Sequence, residues 1–341
     1  MQREKVYNMK NTIISIYRKV VRKLGLHNLA LIVVLLVLIV AMTIRSPYFF
    51  TFANFEVIFS GFVLEAIMAI GMTFVILSGG IDLSVSSVLP LSAILVGFLL
   101  KQGMPIGIAI LVTLVVAMLI GFFNAFLKIV LNVHPFIATL ATMLTFRGLA
   151  LAVSKGENLS GFPEIFTNIG QGYFLNIPFP IWIFVILIFS MGYLLKNHSY
   201  FQQVYFIGYN PHAALVSGMK VNRFFLFVFG FSSLLAGLAG ILAAAQYGAA
   251  HNSYGIGSEL KVITAVAIGG TSMVRGGTGS MFGTMLGITF MAILSNAFMM
   301  SGISTYWQDI VTGVMLLLAI LLAESLKVKR SANITLEINP A

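Results

Sequence analysis

The chain is poor in two kinds of residue that most soluble domains contain. None of its 341 residues is a cysteine, so disulfide frameworks and thiolate metal sites are excluded. Charged residues make up only 9% of the sequence, whereas soluble domains contain about 25%. In their place, 59% of the residues are hydrophobic and the mean hydropathy is +1.00. This composition predicts an integral membrane protein.

The sequence also lacks the motifs of an enzyme. The stretch "IGGTSMVRGGTGS" at 268–280 is not a phosphate-binding P-loop, because a P-loop needs a Gly-Lys pair and the chain contains none. The five histidines lack metal-binding spacing, and no serine lies in a G-x-S-x-G context. No two carboxylates are arranged for acid–base catalysis. We therefore predict no catalytic residue, no metal site and no cofactor in this chain.

The net charge of +10 does not indicate a nucleic-acid partner, because the basic residues lie at the ends of apolar segments. Lysine and arginine concentrate in the cytoplasmic loops of membrane proteins. Here they precede the first apolar segment and follow the last, so we expect both termini in the cytoplasm. These basic residues are Arg3, Lys5, Lys10, Arg18, Lys19, Arg22, Lys23, Lys327, Lys329 and Arg330.

Ten apolar segments are candidate membrane spans, since a spanning helix needs roughly 20 apolar residues. They are 29–44, 56–77, 84–100, 105–127, 135–153, 179–195, 223–246, 258–269, 280–300 and 308–326. The fold class is therefore all-α, a polytopic membrane protein. We expect a basic cytoplasmic segment at 1–27, the membrane domain at 28–326 and a cytoplasmic tail at 327–341. Residues 154–178 and 196–222 form the two long loops, on the outer and inner sides.

The inner loop contains "FIGYNPHAALVSGMKV", a polar stretch in an apolar chain. Asn210 suits a helix N-cap, Pro211 suits the first helical position, and Gly218 suits the residue after the C-terminus. These signals predict an exposed helix of about two turns, which is too short to be stable alone in water. Two interpretations stay open: a helix resting on lipid headgroups, and a helix docked on a partner.

Three other stretches place polar groups between or within spans. "SGGIDLSVSS" is either a broken helix lining a cavity, with Asp82 and Ser84 available to a solute, or a cytoplasmic turn capped by Ser84. A second glycine-rich break near 270 resembles it, as in an internal repeat. Asn296, in "SNAF", either lines a pathway or bonds between helices.

"HPFIATLATMLTFRG" places Thr139 and Thr142 near one face of the fifth span. Arg147 follows, within or near the membrane, where a charge is costly and is usually paired. Asp82, Glu65 and Asp309 are its possible partners. Alternatively, its side chain extends to the outer interface.

These stretches, with "GMTFVILSGGIDLSVSSV", "AVAIGGTSMVRGGTGSMFGTMLG" and "YWQDIVTG", resemble in order and spacing the permease subunits of bacterial monosaccharide ABC importers. The resemblance covers roughly residues 30–325. It implies a bacterial inner-membrane permease of about ten helices, paired with a second permease chain that is either identical or a sister chain. It also implies cytoplasmic ATP-binding subunits that hold ATP and Mg, an external sugar-binding protein, and surrounding membrane lipid.

In this family, the "GYNPHAALVSG" stretch resembles the coupling helix that docks on the ATPase. The matching residues are Gly208, Tyr209, Asn210, His212, Ala213, Ala214, Ser217 and Gly218. His212 stands where the family commonly has an acidic residue, so a carboxylate contact with the ATPase is missing or reversed.

The resemblance implies transport by alternating access, driven by ATP hydrolysis on the partner. We expect Asp82, Ser84, Thr139, Thr142 and Asn296 near the translocation pathway, and Arg147 paired with Asp82. A branched-chain amino acid permease, another small-solute ABC permease and an ion-coupled secondary transporter are the alternatives.

Overall fold

The computed structural model describes residues 25–274, 276–304 and 306–321, and thirteen helices make up most of this part of the chain. They are α1 (Leu26–Arg45), α2 (Phe52–Leu77), α3 (Val85–Lys101), α4 (Ile106–Ile129), α5 (Pro135–Ser154), α6 (Glu164–Gln171), α7 (Phe179–Asn197), α8 (Ser199–Tyr209), α9 (Pro211–Val216), α10 (Val221–Tyr247), α11 (Ser258–Ile268), α12 (Met281–Met300) and α13 (Tyr306–Leu321).

Each of the ten predicted segments coincides with a helix. Seven of these helices are long and apolar enough to cross a membrane: α1, α2, α4, α5, α7, α10 and α12. Two are shorter apolar helices, α3 and α13, and α11 has only 11 residues. The prediction of a helical, polytopic membrane protein is confirmed. Residues 1–24 of the predicted N-terminal segment, the end of the last span and the tail 327–341 lie outside the described residues.

The two long loops contain structure that the sequence did not predict. The outer loop includes α6 and a hairpin of β2 (Tyr173–Phe174) with β3 (Ile177–Pro178). Leu175 and Asn176 form its turn with φ of 53° and 61°, a conformation that asparagine tolerates better than most residues. The inner loop contains α8 ahead of the expected short helix.

A second pair of two-residue strands joins distant parts of the chain. β1 (Leu159–Ser160) pairs antiparallel with β4 (Ala249–Ala250) and so ties the loop before α6 to the end of α10. Within the residues that the structure describes, these four two-residue strands are the one correction to the all-α prediction.

The central helix of the bundle is α10, which packs against α2, α3 and α4. Small residues bring the helices together. A Cβ added to Gly240 would lie 2.2 Å from the Leu89 carbonyl oxygen of α3, and one added to Gly237 would lie 2.4 Å from the Ala117 Cβ of α4. Close backbone approach of this kind provides the van der Waals contact that holds membrane helices together.

The chain breaks between α2 and α3 inside the protein, because Asp82, Leu83 and Ser84 are all buried. Gly79, with φ of 82°, allows the chain to leave α2. A second break, between α11 and α12, also contains glycines with positive φ, at 270, 276, 277 and 279. Non-helical backbone at membrane depth is tolerated only where protein or a water-filled cavity surrounds it. The first break is therefore enclosed by protein, and its residues Asp82 to Ser84 do not form an exposed turn.

Candidate functional site

The predicted short helix is present as α9, and its ends are closed as the sequence predicts. The Asn210 side chain accepts a hydrogen bond from the Ala213 amide at 3.0 Å, and Pro211 occupies the first position. At the other end, Gly218 adopts φ of 85° and the Met219 amide donates to the Ala214 carbonyl at 3.1 Å. In a helix of six residues, most amide and carbonyl groups have no partner within the helix. The two caps provide hydrogen-bond partners for one amide at the N-terminus and one carbonyl at the C-terminus.

Large apolar side chains are exposed on α9 and on Tyr209, the residue that ends α8. Tyr209 is 71% exposed, Leu215 58% and Val216 77%. His212 and Ala213 are also exposed, as are Asn210, Ser217 and Gly218. In contrast, Ala214 is only 4% exposed and Gly208 is buried, so these two residues anchor the segment to the protein and do not face outward. These exposed apolar side chains fit either interpretation drawn from the sequence, a helix on lipid headgroups or a helix docked on a partner.

Gly208, the penultimate residue of α8, lies against the end of α2. A Cβ at position 208 would lie 1.7 Å from the Leu77 carbonyl oxygen, so only glycine fits. The same oxygen accepts a hydrogen bond from the Gly277 amide at 2.7 Å. A Cβ at position 276 would lie 2.8 Å from the Gly208 oxygen and 2.9 Å from the Gly79 nitrogen. We name this contact of Leu77, Gly79, Gly208, Gly276 and Gly277 the glycine junction.

The glycine junction brings three separate parts of the chain to one point. These are the break after α2, the break between α11 and α12, and the helix that leads into α9. The sequence indicated a likeness between the two breaks, and the structure adds that they touch. Backbone contacts therefore connect the helix that leads into α9 with both broken regions.

Asp82 lies at the centre of a buried polar network at the first break. One carboxylate oxygen accepts hydrogen bonds from the Ser84 amide and hydroxyl, at 3.1 and 2.5 Å. The other oxygen accepts from the Ser232 hydroxyl of α10 at 3.0 Å. All three residues are fully buried. Hydroxyl and amide donors thus satisfy the carboxylate inside the protein, where an unpaired polar group is costly.

Asn124 of α4 extends the network to α5. Its amide nitrogen donates to the Ser84 hydroxyl, and its amide oxygen accepts from the Thr142 hydroxyl, both at 2.8 Å. Thr139 is equally buried, and its hydroxyl lies 3.1 Å from the Ile81 carbonyl and 2.8 Å from that of Pro135. Four predicted pathway residues, Asp82, Ser84, Thr139 and Thr142, therefore lie together, bonded to protein groups.

Arg147 binds α3 and not Asp82. Its Nη2 donates to the carbonyl and the hydroxyl oxygens of Ser86, both at 3.3 Å. Pro90, four residues later, has no N–H to give that carbonyl its helical hydrogen bond. The guanidinium of Arg147 supplies the missing donor. The predicted ion pair with Asp82 is not formed, since hydroxyl groups already occupy that carboxylate.

Asn296 lies apart from the network and bonds between helices. Its side-chain amide exchanges two hydrogen bonds with Asn54 of α2, at 2.9 and 3.2 Å. Asn296 is 4% exposed in α12, so this pair joins α2 to α12 inside the protein. Of the two interpretations drawn from the sequence, the structure shows the helix-bonding one.

Two members of the network, Asn124 and Ser232, were missed by the sequence analysis. Asn124 is a polar residue within the apolar run "GFFNAF", and polar residues inside spans are rare enough to have marked it. Ser232 offers no comparable signal, because serine is common at helix contacts in membranes. Among the described residues, no group of three or more histidine and carboxylate side chains is placed to hold a metal ion.

Comparison with known proteins identifies the family. Residues 54–320 match the family described as the permease component of the branched-chain amino acid transport system. The chain belongs to this permease family. The expectation of a transport subunit of an ABC importer, and not an enzyme, is confirmed, as is a multi-pass location in the bacterial inner membrane.

Individual members of the permease family are similar over most of their length. A ribose import permease protein from Haemophilus influenzae is 36% identical over 302 residues, 87% of this chain and 93% of that protein. One from Escherichia coli is 37% identical over 294 residues, 85% and 91% of the two chains. An autoinducer 2 import system permease protein from Yersinia pseudotuberculosis is 32% identical over 283 residues, 83% and 80%. No solved structure matches the chain.

Proposed function

We propose that the chain is the permease subunit through which a monosaccharide delivered by an external binding protein crosses the inner membrane. The similar proteins are permeases for ribose import and for autoinducer 2 import, and these functions support a small hydroxylated solute. The family description favours an amino acid as the second candidate. The individual relatives weigh more, because each matches over 80% or more of its own length.

We propose α9 as the contact with a cytoplasmic ATP-binding subunit, which would hold ATP and Mg. The observation that carries this proposal is a capped six-residue helix with exposed Leu215 and Val216, preceded by the exposed Tyr209 at the end of α8. A helix this short persists only when it is held, and its outer face has no cover within the described chain. A groove on a partner would provide that cover, and the glycine junction would carry the partner's motion inward.

We propose ten membrane crossings with both termini in the cytoplasm. The three helices shorter than the usual span, α3, α11 and α13, all coincide with predicted spans. α3 adjoins the buried first break, where protein surrounds the backbone and a full-length span is not required, and α11 adjoins the second break, which is partly buried. An even number of crossings, with basic residues beyond both ends, places both ends in the cytoplasm.

We propose that the break between α2 and α3 borders the translocation pathway. Asp82, Ser84, Thr139 and Thr142 meet there, close to the helix contacts that the glycine junction links to α9. In this conformation their polar groups bond to one another or to the backbone, so the pathway is closed at this point. Opening would exchange these bonds for contacts with solute or water. Asn296, bonded to Asn54, has less support as a pathway residue.

We propose a second permease chain as a lateral partner, identical or closely related. α5 exposes a face of small residues, Ala141, Thr145, Gly148 and Ala152, toward the membrane. A Cβ added to Gly148 would meet nothing within 4 Å. Small residues on an open helix face allow another helix to approach closely.

Purification of the tagged chain from its native membrane in mild detergent tests the α9 proposal. We expect ATP hydrolysis to co-purify, and Val216→Asp to reduce it by about tenfold or more, since burying a valine contributes about 1.5 kcal/mol or more. Leu175→Asp, an equally exposed leucine in the β2–β3 turn, is the matched control and should leave the co-purifying activity unchanged. Equal activity in both variants would contradict the docking role of α9.

Uptake by cells that express the complete system tests the solute. We expect uptake of labelled ribose, competed by related sugars and not by leucine. Uptake of leucine with no effect of sugars would establish the amino acid alternative.

A further inference from the structure

A cavity of about 880 Å³ opens between α7, α8 and α12. Ile188 and Phe189 of α7 form one wall, and Met281 and Met285 of α12 form the other. The face continues outward, since Phe189 is 64% exposed and Phe282 40%. In a membrane protein, such exposed apolar side chains face lipid or another membrane chain.

The two ends of the cavity differ in chemistry. Along α7, the lining runs from Ile188 to Lys196, eight residues or about 12 Å of helix. The Ile188 end is apolar, whereas the other end contains Lys196, Asn197 and the hydroxyls of Tyr193 and Ser280. Lys196 is exposed in the last turn of α7, and its ammonium makes no ion pair with any residue that the structure describes.

Gly192 makes room in the middle of the groove. A Cβ added there would be 3.6 Å from the Met281 Cβ, an ordinary contact, so the α7 backbone itself forms the floor. A larger side chain at this position would fill the space between α7 and α12. The groove is therefore open above the α7 backbone at Gly192, and it has a cation at its polar end.

We propose that this groove binds an anionic glycerophospholipid of the surrounding membrane, with an acyl chain between α7 and α12 and the phosphate at Lys196. Charge complementarity favours this occupant over a partner helix. A lysine and a tyrosine at the end of a membrane helix lie at the depth of the lipid headgroups, and each lysine near that surface attracts anionic lipid. The apolar part of the groove, between Ile188 and the polar end at Lys196, fits the upper part of an acyl chain.

The bound lipid would touch the helix that leads to α9. Tyr205 of α8 lines the groove, and its carbonyl oxygen would lie 2.6 Å from a Cβ added to Gly277. The lipid therefore holds α8 from one side while the glycine junction holds it from the other. Occupancy of the groove stabilises α8 in the position described here.

Native mass spectrometry of the delipidated, purified protein tests the headgroup contact, with 1-palmitoyl-2-oleoyl phosphatidylglycerol and the matching phosphatidylcholine as probes. We expect one phosphatidylglycerol to bind in preference to phosphatidylcholine. Lys196→Gln should weaken it by about fivefold, the equivalent of about 1 kcal/mol for one lysine. Lys101→Gln is the matched control, because Lys101 is an exposed lysine in the last turn of α3.

A second variant tests the groove without changing charge. Added phosphatidylglycerol should raise the melting temperature of the parent protein. Gly192→Phe should abolish both this rise and the preferred binding of phosphatidylglycerol. Gly107→Phe is its control, since a Cβ on that exposed α4 glycine meets nothing within 4 Å. Unchanged binding in both groove variants would overturn the proposal. The proposal would also be overturned if Lys101→Gln and Gly107→Phe lost as much phosphatidylglycerol binding as the groove variants. Equal binding of phosphatidylglycerol and phosphatidylcholine to the parent protein would overturn it as well. None of these results depends on which solute the permease carries.

Discussion

The guanidinium of Arg147 on α5 and the carbonyl oxygen of Ser86 on α3 are 3.3 Å apart, at the position where Pro90 cannot provide the helical donor. The charged side chain of Arg147 thus replaces the backbone hydrogen-bond donor that α3 lacks at Pro90. The arrangement links α5 to the first turn of α3, directly after the buried break.

We expect Arg147→Met to lower the free energy of unfolding by roughly 1–3 kcal/mol, because it leaves the Ser86 carbonyl without its donor. In a Pro90→Ala background the backbone N–H at position 90 can bond that carbonyl, so the same substitution should cost less. Thermal unfolding of the four proteins in detergent measures this coupling. Simple additivity of the two substitutions would show that Arg147 does not act through the Ser86 carbonyl.

The glycine junction predicts an intolerant position at Gly208. Alanine there would place a Cβ 1.7 Å from the Leu77 carbonyl oxygen, so α8 must move away from α2. We expect Gly208→Ala to lower the melting temperature and to uncouple transport from ATP hydrolysis. Gly61→Ala in α2 is the control, since no atom lies within 4 Å of its added Cβ and alanine favours helix by about 1 kcal/mol. A Gly208→Ala protein as stable and active as the control would show that the contact is not needed.

Two threonines one turn apart on α5 test the polar network. Thr142 is 3% exposed and donates to Asn124, whereas Thr145 is exposed and bonds only its own helix, at the Ala141 carbonyl. We expect Thr142→Val to cost roughly 1–3 kcal/mol, since the Asn124 oxygen is left buried and unpaired. Thr145→Val should change stability by less than about 0.5 kcal/mol. Chemical denaturation in detergent, read by tryptophan fluorescence, compares them, and equal losses would argue against the network.

Tyr173 in the outer hairpin carries a pH-dependent contact. Its hydroxyl donates to the Glu56 carboxylate at 2.6 Å, and this hydrogen bond, with the carboxylate charge, raises the pKa of the tyrosine above 10.0. The bond exists only while the hydroxyl is protonated. It therefore contributes to the folded state below pH 10 and is lost as the pH rises through the raised pKa.

The absorbance difference at 295 nm between the parent protein and Tyr173→Phe isolates the titration of this residue. We expect its midpoint above pH 10, and Glu56→Gln should lower it. A midpoint that Glu56→Gln leaves unchanged would show that the carboxylate does not bind the hydroxyl in solution.

The sequence predicts the helical elements well where the signal is local. Long apolar runs located the ten segments, because burial in lipid demands them whatever the tertiary fold. Asn210, Pro211 and Gly218 located α9 to within a residue, since caps act through neighbouring backbone groups. In contrast, α6 and α8 lack a long apolar run and were assigned to loops.

Contacts between distant residues could not be predicted in the same way. The sequence showed that Arg147 needs a partner in the membrane but not that Pro90 creates one on another helix. It grouped Asn296 with Asp82 because both are polar, whereas the fold separates them. Ala214 matched the family motif, yet its side chain faces inward. Each of these outcomes depends on helix rotation and packing, which residue spacing does not encode.

The small number of side chains at the glycine junction affects how the helices there can shift. Interlocked side chains must leave their rotamers and repack each time two helices shift, whereas the glycine junction is held by backbone contacts and by the hydrogen bond from the Gly277 amide to the Leu77 carbonyl. A small shift at the point where these three parts of the chain converge would therefore require few side chains to change rotamer. Such a contact suits repeated small shifts, but it tolerates almost no substitution, because an added Cβ would overlap the neighbouring backbone.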